Sequence, residues 1–566
     1  MQIVTPKQMV KIEERSEQLG VSKKELMLNA GRQLARLVDT SAQREKGGKP
    51  SDAHIVFLAG AGNNGGDCYA AASVLSYMGY KITVIVLGGK PSTNLSSEMF
   101  DLMPKDMVSV INGYKGENVE AAIEAAELDY MSVSPVQASE IINKGELNAV
   151  DKIILRERQR MYSIREAVIS ADILVDGVFG TGFRGQLDKD MIAIFAIGTS
   201  AYKISVDVPS GGNCSQGTVS PGVFKADETI TFGYIKTGMS QYPLKKYCGK
   251  ITLADIGIPA AAIEITENDR KYFRIERNYL IGYPPERQKD AHKGKFGRVL
   301  VIAGSSSMRG AAVLAAMGAL KSGAGIVQVA SVEKCIDAAA IIAPEAIYAE
   351  MECDDYGYML FDDNKKRLAE MVASADAIVI GCGMGVTNDT SEITKYVLHN
   401  ARVPVIVDAD GINCIADDID ILVNKSTDVI ITPHPGEMAR LLKCDASMIN
   451  ENRITVAEKY AEKFGITVVL KGAGTLVADS RLTAANHTGN AGMSRGGSGD
   501  VLAGIIGAAA AQGYSCFDAS CAGVYIHGLA GDEAEKKLGQ EAMLPRDIID
   551  NLSDAFRILK DKHREV

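Results

Sequence analysis

Short apolar runs recur along this chain of 566 residues, and each ends in glycine or a polar residue. In the first half they are His54-Ile-Val-Phe-Leu-Ala-Gly60, Lys81-Ile-Thr-Val-Ile-Val-Leu87, Ile173-Leu-Val175 and Tyr202-Lys-Ile-Ser-Val206. In the second half they lead into Gly304, Ala330, Gly381, Asp408, Thr432 and Lys471. Runs this short, rich in Val and Ile, predict strands buried on both faces. Between them lie stretches with apolar residues at helical spacing: 7–39 with a break near Gly20, Cys68–Met78, Ala312–Leu320 and Val501–Ala511. The alternation predicts two parallel α/β sheets, because 566 residues exceed what one core holds. The first domain is placed at 1–264 and the second at 275–566, with a charged linker across 264–290 that contains Pro284-Pro285. Residues 95–165 are polar to amphipathic, and the mixed-charge helix around Ile153–Arg160 is expected to have a solvated face.

In such sheets ligands sit at the carboxyl ends of the strands. The first strand runs into Gly60-Ala-Gly-Asn-Asn-Gly-Gly-Asp67, ahead of the Cys68–Met78 helix. The others deliver Asp176, then Gly180-Thr-Gly182, and Asp207 with Ser210. Any one of Asn63, Asn64 and Asp67 could be no more than a turn cap, but three of them among four glycines favour a binding site. The turn lacks a GxGxxG pattern with a later ribose-binding acid, which disfavours a simple dinucleotide oxidoreductase. Asn64, Asp176 and Asp207/Ser210 are oxygen donors at one sheet edge, a set suited to K⁺ or Mg²⁺ and not to zinc.

The second half repeats the device with Asp408, Asp410, Asn413, His434, Glu437 and Lys471. Its last strand end opens into Gly489-Asn-Ala-Gly-Met-Ser-Arg-Gly-Gly-Ser-Gly-Asp500 before the Val501–Ala511 helix. A Gly-rich loop feeding a helix start aims backbone amides at one spot and favours an anion there, phosphate above all. Asp500 is then either a cap of that helix or a proton acceptor beside the phosphate. His434 alone could be a satisfied loop histidine and Lys471 a surface lysine; several strand ends converging on one cleft favour function.

Composition narrows the partners. A net charge of −10, from 61 basic and 71 acidic residues, argues against a general nucleic-acid or lipid-surface binder. Ten cysteines without a CxxC pair and seven scattered histidines give no zinc constellation and suit reduced thiols in a cytoplasm. No apolar stretch is long enough for a membrane span, and the first residues are too charged for a signal peptide.

The motifs of the first half together resemble the NAD(P)H-hydrate epimerases: the 60–67 turn, Asp176-Gly-Val-Phe-Gly-Thr-Gly182, Asp207-Val-Pro-Ser-Gly211 and the helical lead-in Met9–Glu14 with Leu26–Gly31. The resemblance implies a Rossmann-like doubly wound domain with Asn64, Asp176 and Ser210 as K⁺ ligands. It implies substrate contacts from Asn63, Asn64, Gly65, Gly66 and Asp67, from Gly180, Thr181, Gly182, Phe183, Arg184, Gly185 and Gln186, and from Asp207, a candidate acid/base. Cys68 stands where that family usually has glycine, and 95–165 is longer than its usual connection. The second half is similar to ribokinase-like ADP/ATP-dependent NAD(P)H-hydrate dehydratases, through His292-Lys-Gly-Lys-Phe-Gly297, Thr432–Glu437, Lys471-Gly-Ala-Gly-Thr475, Gly489-Asn-Ala-Gly492 and Gly496–Asp500. That resemblance assigns Lys471, Gly472, Ala473, Gly474, Thr475 and Gly499 to ADP or ATP with Mg²⁺. It assigns Ala312, Gly383, His434 and catalytic Asp500 to the hydrated nicotinamide nucleotide. The implied protein repairs NADHX and NADPHX and forms homo-oligomers. Two other readings share these folds: a ribokinase-like small-molecule kinase, and a fusion whose first half binds a nucleotide without catalysing.

Overall fold

The computed structural model describes residues 2–114, 149–263 and 269–561. The chain divides into two compact units, one of Ile3–Glu264 and one of Ile265–Val566 with Met1–Gln2.

The first unit is built on seven parallel strands. They are β2 (His54–Ala59), β3 (Lys81–Val86), β4 (Val108–Asn112), β5 (Ile173–Gly177), β6 (Tyr202–Val206), β7 (Glu228–Phe232) and β9 (Lys250–Ala254), in the order β4-β3-β2-β5-β6-β7-β9. Alternate residues of β2 explain its unbroken apolar run. Ile55 and Phe57 pack with helices α2 (Lys23–Glu45) and α3 (Asn63–Tyr77), whereas Val56 and Leu58 pack with α4 (Ala149–Ile169) on the other face. Ahead of the sheet, strand β1 (Gln2–Val4) pairs with β8 (Ile235–Lys236) in the register Val4↔Lys236, and helix α1 (Pro6–Gln18) follows it.

Two details of this unit depart from the sequence reading. Helix α3 starts at Asn63, so Asn63–Asp67 form its first turn instead of a loop before Cys68. Glycine at 60 and 65 permits the early start: a Cβ on Gly65 would lie 2.0 Å from the Gly60 carbonyl oxygen. In α4, Arg160 and Glu157 are not on a solvated face. Their side chains are 8% and 6% exposed and paired at 2.7 Å, and Arg160 also reaches Asp190 at 3.1 Å. Alternating charge there marks a buried ion-pair cluster, which spacing alone could not distinguish from a wet surface. The rest of the 95–165 reading, from 115 to 148, lies outside the described residues.

The second unit holds β10 (Lys271–Arg274), β11 (Arg298–Ile302), β12 (Ile326–Ser331), β13 (Ile347–Glu350), β14 (Ala377–Ile380), β15 (Val405–Val407), β16 (Val429–Ile431), β17 (Thr467–Leu470), β18 (Leu476–Ala478) and β19 (Leu482–Ala485). The order is β13-β12-β11-β14-β15-β16-β17-β18-β19-β10. Pairing is parallel as far as β17, antiparallel through β17-β18-β19, and parallel again at β10. Residues 271–274, inside the stretch read as linker, are therefore a strand hydrogen-bonded to β19.

Helices α5 (Arg309–Lys321), α7 (Ser498–Ala511) and α8 (Cys516–Leu538) cover one face, and α6 (Pro435–Leu442) follows β16. The small residues of α5 and α7 let the two helices touch backbone to backbone. A Cβ on Gly504 would stand 2.0 Å from the Ala315 carbonyl oxygen, and one on Gly318 2.5 Å from that of Val501. All ten cysteines are free thiols, most of them buried. Among the described residues no helix is long and apolar enough to cross a membrane.

Candidate functional sites

In the first unit β2, β5 and β6 are neighbours, and their carboxyl ends open on a cavity of about 750 Å³. The lining includes Asn63, Asn64 and Asp67 from α3, Gly180–Arg184 and Gln186 from the turn after β5, and Asp207. The sequence-predicted residues thus meet at one cavity. Gly65, Gly66 and Gly185 are absent from its lining, the first two packed against Gly60 and Met27, and Asp176 and Ser210 lie buried behind it.

Asp176 is fully buried at the end of β5. One oxygen accepts from Ser210 Oγ at 2.5 Å and the Val178 amide at 3.3 Å; the other accepts from the Ser210 amide at 2.8 Å and Ser205 Oγ at 3.0 Å. Burial pushes its carboxyl up to about 6 although all four bonds pull the other way. Among the described residues no cationic side chain is paired with it. Asn64 spends its Nδ2 on the carbonyls of Phe179 (3.2 Å) and Val206 (3.0 Å), so its Oδ1 remains the acceptor end. A buried, uncompensated carboxylate among amide and hydroxyl oxygens is a donor set that fits a hard cation.

Asp207 stands immediately after β6 with φ of +64°, a conformation a non-glycine residue holds only when its surroundings enforce it. Its Oδ1 accepts from Thr231 Oγ1 at 3.0 Å and from the ammonium of Lys236. Lys236 is 1% exposed and also donates to Thr231 Oγ1 at 2.9 Å. Burial, followed by repulsion from Asp207 and Glu13, raises the Asp67 carboxyl well above its ordinary range. Glu13 of α1 lines the same cavity and is likewise raised, first by burial and then by Asp207.

Sequence reading missed two members, Lys236 and Glu13. Lys236 belongs to no Gly-rich motif; a lysine directly after the apolar end of Phe232-Gly-Tyr-Ile was the one available signal. Glu13 fell within the lead-in helix, whose acidic positions looked like ordinary solvated residues.

In the second unit the strand ends of β14, β15, β16 and β17 are adjacent. Lys471 follows β17 and its ammonium lies 2.6 Å from Asp408 Oδ1 and 3.8 Å from Glu437 Oε2. Burial opposes its charge, yet the two carboxylates outweigh burial and its pKa stands above the usual value. Buried Arg453 fixes this strand end by donating to the carbonyls of Leu470 (3.1 Å) and Lys471 (3.2 Å). Asp408 follows β15 directly, and the next residue, Ala409, has φ of +49°.

Asp500 is the third residue of α7, which begins after Gly497 at φ of +99°, so it is not the helix cap. Burial and the Asp408 carboxylate push its carboxyl up to about 7. Ligand atoms of Asp408, Asp500 and Cys382 lie within 4.8 Å of one another. Gly499 keeps the approach clear: a Cβ there would be 3.3 Å from Lys471 Nζ and 3.6 Å from Asp408 Oδ2.

The remaining predicted residues divide. His434 caps α6, its Nδ1 accepting from the Gly436 amide at 3.0 Å, while its side chain stays 55% exposed and available to a ligand. Gly472, Ala473, Gly474 and Thr475 form the open turn after Lys471, closed by Thr475 Oγ1 donating to the Gly472 carbonyl at 2.9 Å. Ala312 is wholly buried in α5, backbone as well as methyl, so the structure places it in the core and not on the open surface of the cleft. Gly383 packs against the start of α5, where a Cβ would meet that of Ala311 at 2.7 Å.

Two α/β units, each gathering carboxylates and a lysine at its strand ends, make a two-site enzyme. Comparison with known proteins gives the family. A family described as YjeF-related protein N-terminus matches residues 23–238, and one described as NAD(P)H-hydrate dehydratase matches 299–554. The bifunctional NAD(P)H-hydrate repair enzyme of Moorella thermoacetica is 33% identical over 541 residues, covering 95% of this chain and 93% of that protein. The namesake from Thermofilum pendens is 31% identical, covering 98% and 95%. Among solved structures, the Bacillus subtilis ADP/ATP-dependent NAD(P)H-hydrate dehydratase co-crystallized with ATP/Mg²⁺ is 28% identical, with a TM-score of 0.45; the match covers 52% of this chain and all of that one. The chain belongs to the bifunctional NAD(P)H-hydrate repair enzymes.

Proposed function

We infer that the first unit interconverts the two C6 epimers of hydrated NADH and NADPH, and that the second dehydrates one of them with ADP or ATP. The observation that carries this reading is the pair of separate strand-end sites, each with a carboxyl group raised by burial beside a carboxylate bonded to lysine. One stereospecific site cannot process both epimers, so two sites on one chain are what complete repair needs.

In the first site Asp207 is the acid/base. The 63–67 turn and residues 180–186 hold the substrate. Asn64, Asp176 and Ser210 would hold K⁺, which supplies fixed positive charge for orienting phosphate and loops. In the second site the nucleotide lies over Lys471–Thr475 and Gly499, and the hydrate is held by Gly383, His434 and Asp500.

Hydroxide is a poor leaving group. Transfer of the terminal phosphoryl group to the C6 hydroxyl passes its proton to Asp500, and phosphate then departs with the push of the ring nitrogen. Loss of a C5 proton restores the double bond. Amides of the Gly496–Gly499 loop stabilise the phosphoryl group in flight. Mg²⁺ would come with the nucleotide and face the carboxylates of Asp408 and Asp500. Burial holds the Cys382 thiol protonated, which makes it a poor ligand for that ion.

The test supplies both epimers of hydrated NADH with ADP or ATP and follows the return of near-ultraviolet absorbance. Complete recovery of both epimers is expected. No recovery with either nucleotide refutes dehydration, and recovery of one epimer alone refutes the epimerase assignment.

A further inference from the structure

The segment Gly489–Ser498 has little structure of its own beyond a single turn at Ala491–Met493, yet it leads directly into Gly499 and Asp500. Helix α8 grips it at its entry. At its entry Asn486 Nδ2 donates to the Val524 carbonyl at 3.1 Å, and Thr488 Oγ1 to the Tyr525 carbonyl at 2.9 Å. About two turns further along α8, the carboxylate of Asp532 accepts from the Gly489 amide at 2.9 Å and from Asn490 Nδ2 at 3.1 Å. The Asn490 Oδ1 then accepts from the Gly492 amide at 3.0 Å, so one carboxylate orders the first turn of the loop.

Glycines bring helix and loop together. A Cβ on Gly528 would lie 2.7 Å from the Thr488 backbone, and one on Gly531 2.3 Å from Met493 Sδ.

We propose that Asp532 is a positioning residue of the dehydration site, clamping the entry of the loop so that its amides and Asp500 meet the transferring phosphoryl group in one arrangement. It does not touch the reacting atoms. Asp532 acts through charge-assisted bonds to two N–H donors. A loop preorganised in this way spends no free energy on ordering at the moment of transfer. This inference rests on the dehydratase reading above and adds the helix that shapes its site.

The experiment uses the full chain carrying Asp532→Asn, with Asp532→Glu beside it. The amide keeps the volume of the carboxylate but offers one acceptor oxygen and an NH₂ to two donors. The expected result is a fall of about 10- to 100-fold in kcat for dehydration, the scale of loss for a small misplacement of reacting groups. The KM for ADP or ATP and the rate of epimer exchange should stay near wild type, because Lys471–Thr475 and the first unit are untouched. Asp532→Glu should recover part of kcat. An unchanged kcat in Asp532→Asn overturns the proposal. So does a loss that tracks a lowered melting temperature and a raised nucleotide KM without rescue by Glu, since that is general loosening of the unit. If wild type itself fails to dehydrate, the functional reading falls instead, so the two failures are separable.

Discussion

Replacing Asp500 by asparagine should abolish dehydration and stabilise the unit that performs it. The carboxyl sits at the third position of α7, its pKa raised from 3.8 to about 7 by burial and by Asp408. A general base contributes about 10²- to 10⁴-fold to a rate, so the variant should lose at least two decades of kcat for dehydration while epimer exchange continues. Stability moves the other way. The folded protein binds this proton more tightly than the unfolded chain does. The group's contribution is therefore most favourable below the unfolded value near 4 and is lost as pH rises from there through about 7. At about 1.4 kcal/mol per tenfold change in affinity, the elevation bounds the cost of the ionised group at about 4 kcal/mol. Partial solvent access brings the working figure nearer to about 2 kcal/mol. For a unit of this size that is a rise in melting temperature of about 4 °C or more. The assay is calorimetric unfolding of both proteins at pH 5 and pH 8, beside turnover of hydrated NADH. Asparagine should win at pH 8, by a margin that narrows toward pH 5. A variant that keeps more than about a tenth of wild-type turnover removes Asp500 as the base, and one that gains no stability at pH 8 removes the buried charge.

Asp207→Asn should stop epimer exchange and leave dehydration of the correct epimer intact; measured separately, loss of both activities would contradict independent sites. Asp408→Asn removes the carboxylate that raises Asp500 and frees Lys471 to lower it further. The acidic limb of the dehydration rate against pH should therefore move to lower pH, and a limb that stays put or rises would show that Asp408 does not set it. Gly504→Ala should lower the melting temperature of the second unit by several degrees, since its methyl would stand 2.0 Å from the Ala315 carbonyl oxygen and overpacking of this kind costs about 1–3 kcal/mol. Unfolding at the wild-type temperature would mean that α5 and α7 separate without penalty.

Much of this arrangement was legible because both halves write their chemistry in one dimension. An apolar run ending in a polar residue places that residue at a strand's carboxyl end, and parallel topology does the rest; Asp176, Asp207 and Lys471 were found that way. What sequence did not supply are partnerships across the fold. The Lys471–Asp408 pair spans 63 positions and no spacing rule links them. Lys236 reaches Asp207 from strand β8, which is fixed by pairing with β1 at the other end of the unit. Arg160 and Glu157 looked like a wet helix face because their burial depends on Asp190 and the elements around it. The start of α3 was misplaced for a local reason: glycines at 60 and 65 allow a helix to begin where composition suggested a loop.

The two units share a physical device although their folds and chemistry differ. In each, a strand ends in a carboxylate beside a backbone position forced to positive φ, at Asp207 itself and at Ala409 after Asp408. In each, a lysine bonds that carboxylate, buried Lys236 in one and half-buried Lys471 in the other. A second carboxyl then stands nearby without a lysine bonded to it, and both burial and the first carboxylate raise it: Asp67 in the first unit, Asp500 in the second. Each site therefore holds a carboxyl that keeps its proton more readily than a free one, beside a carboxylate anchored by an ammonium. The lysine is what breaks the symmetry: it bonds one carboxylate of each pair, while burial and that carboxylate raise the other.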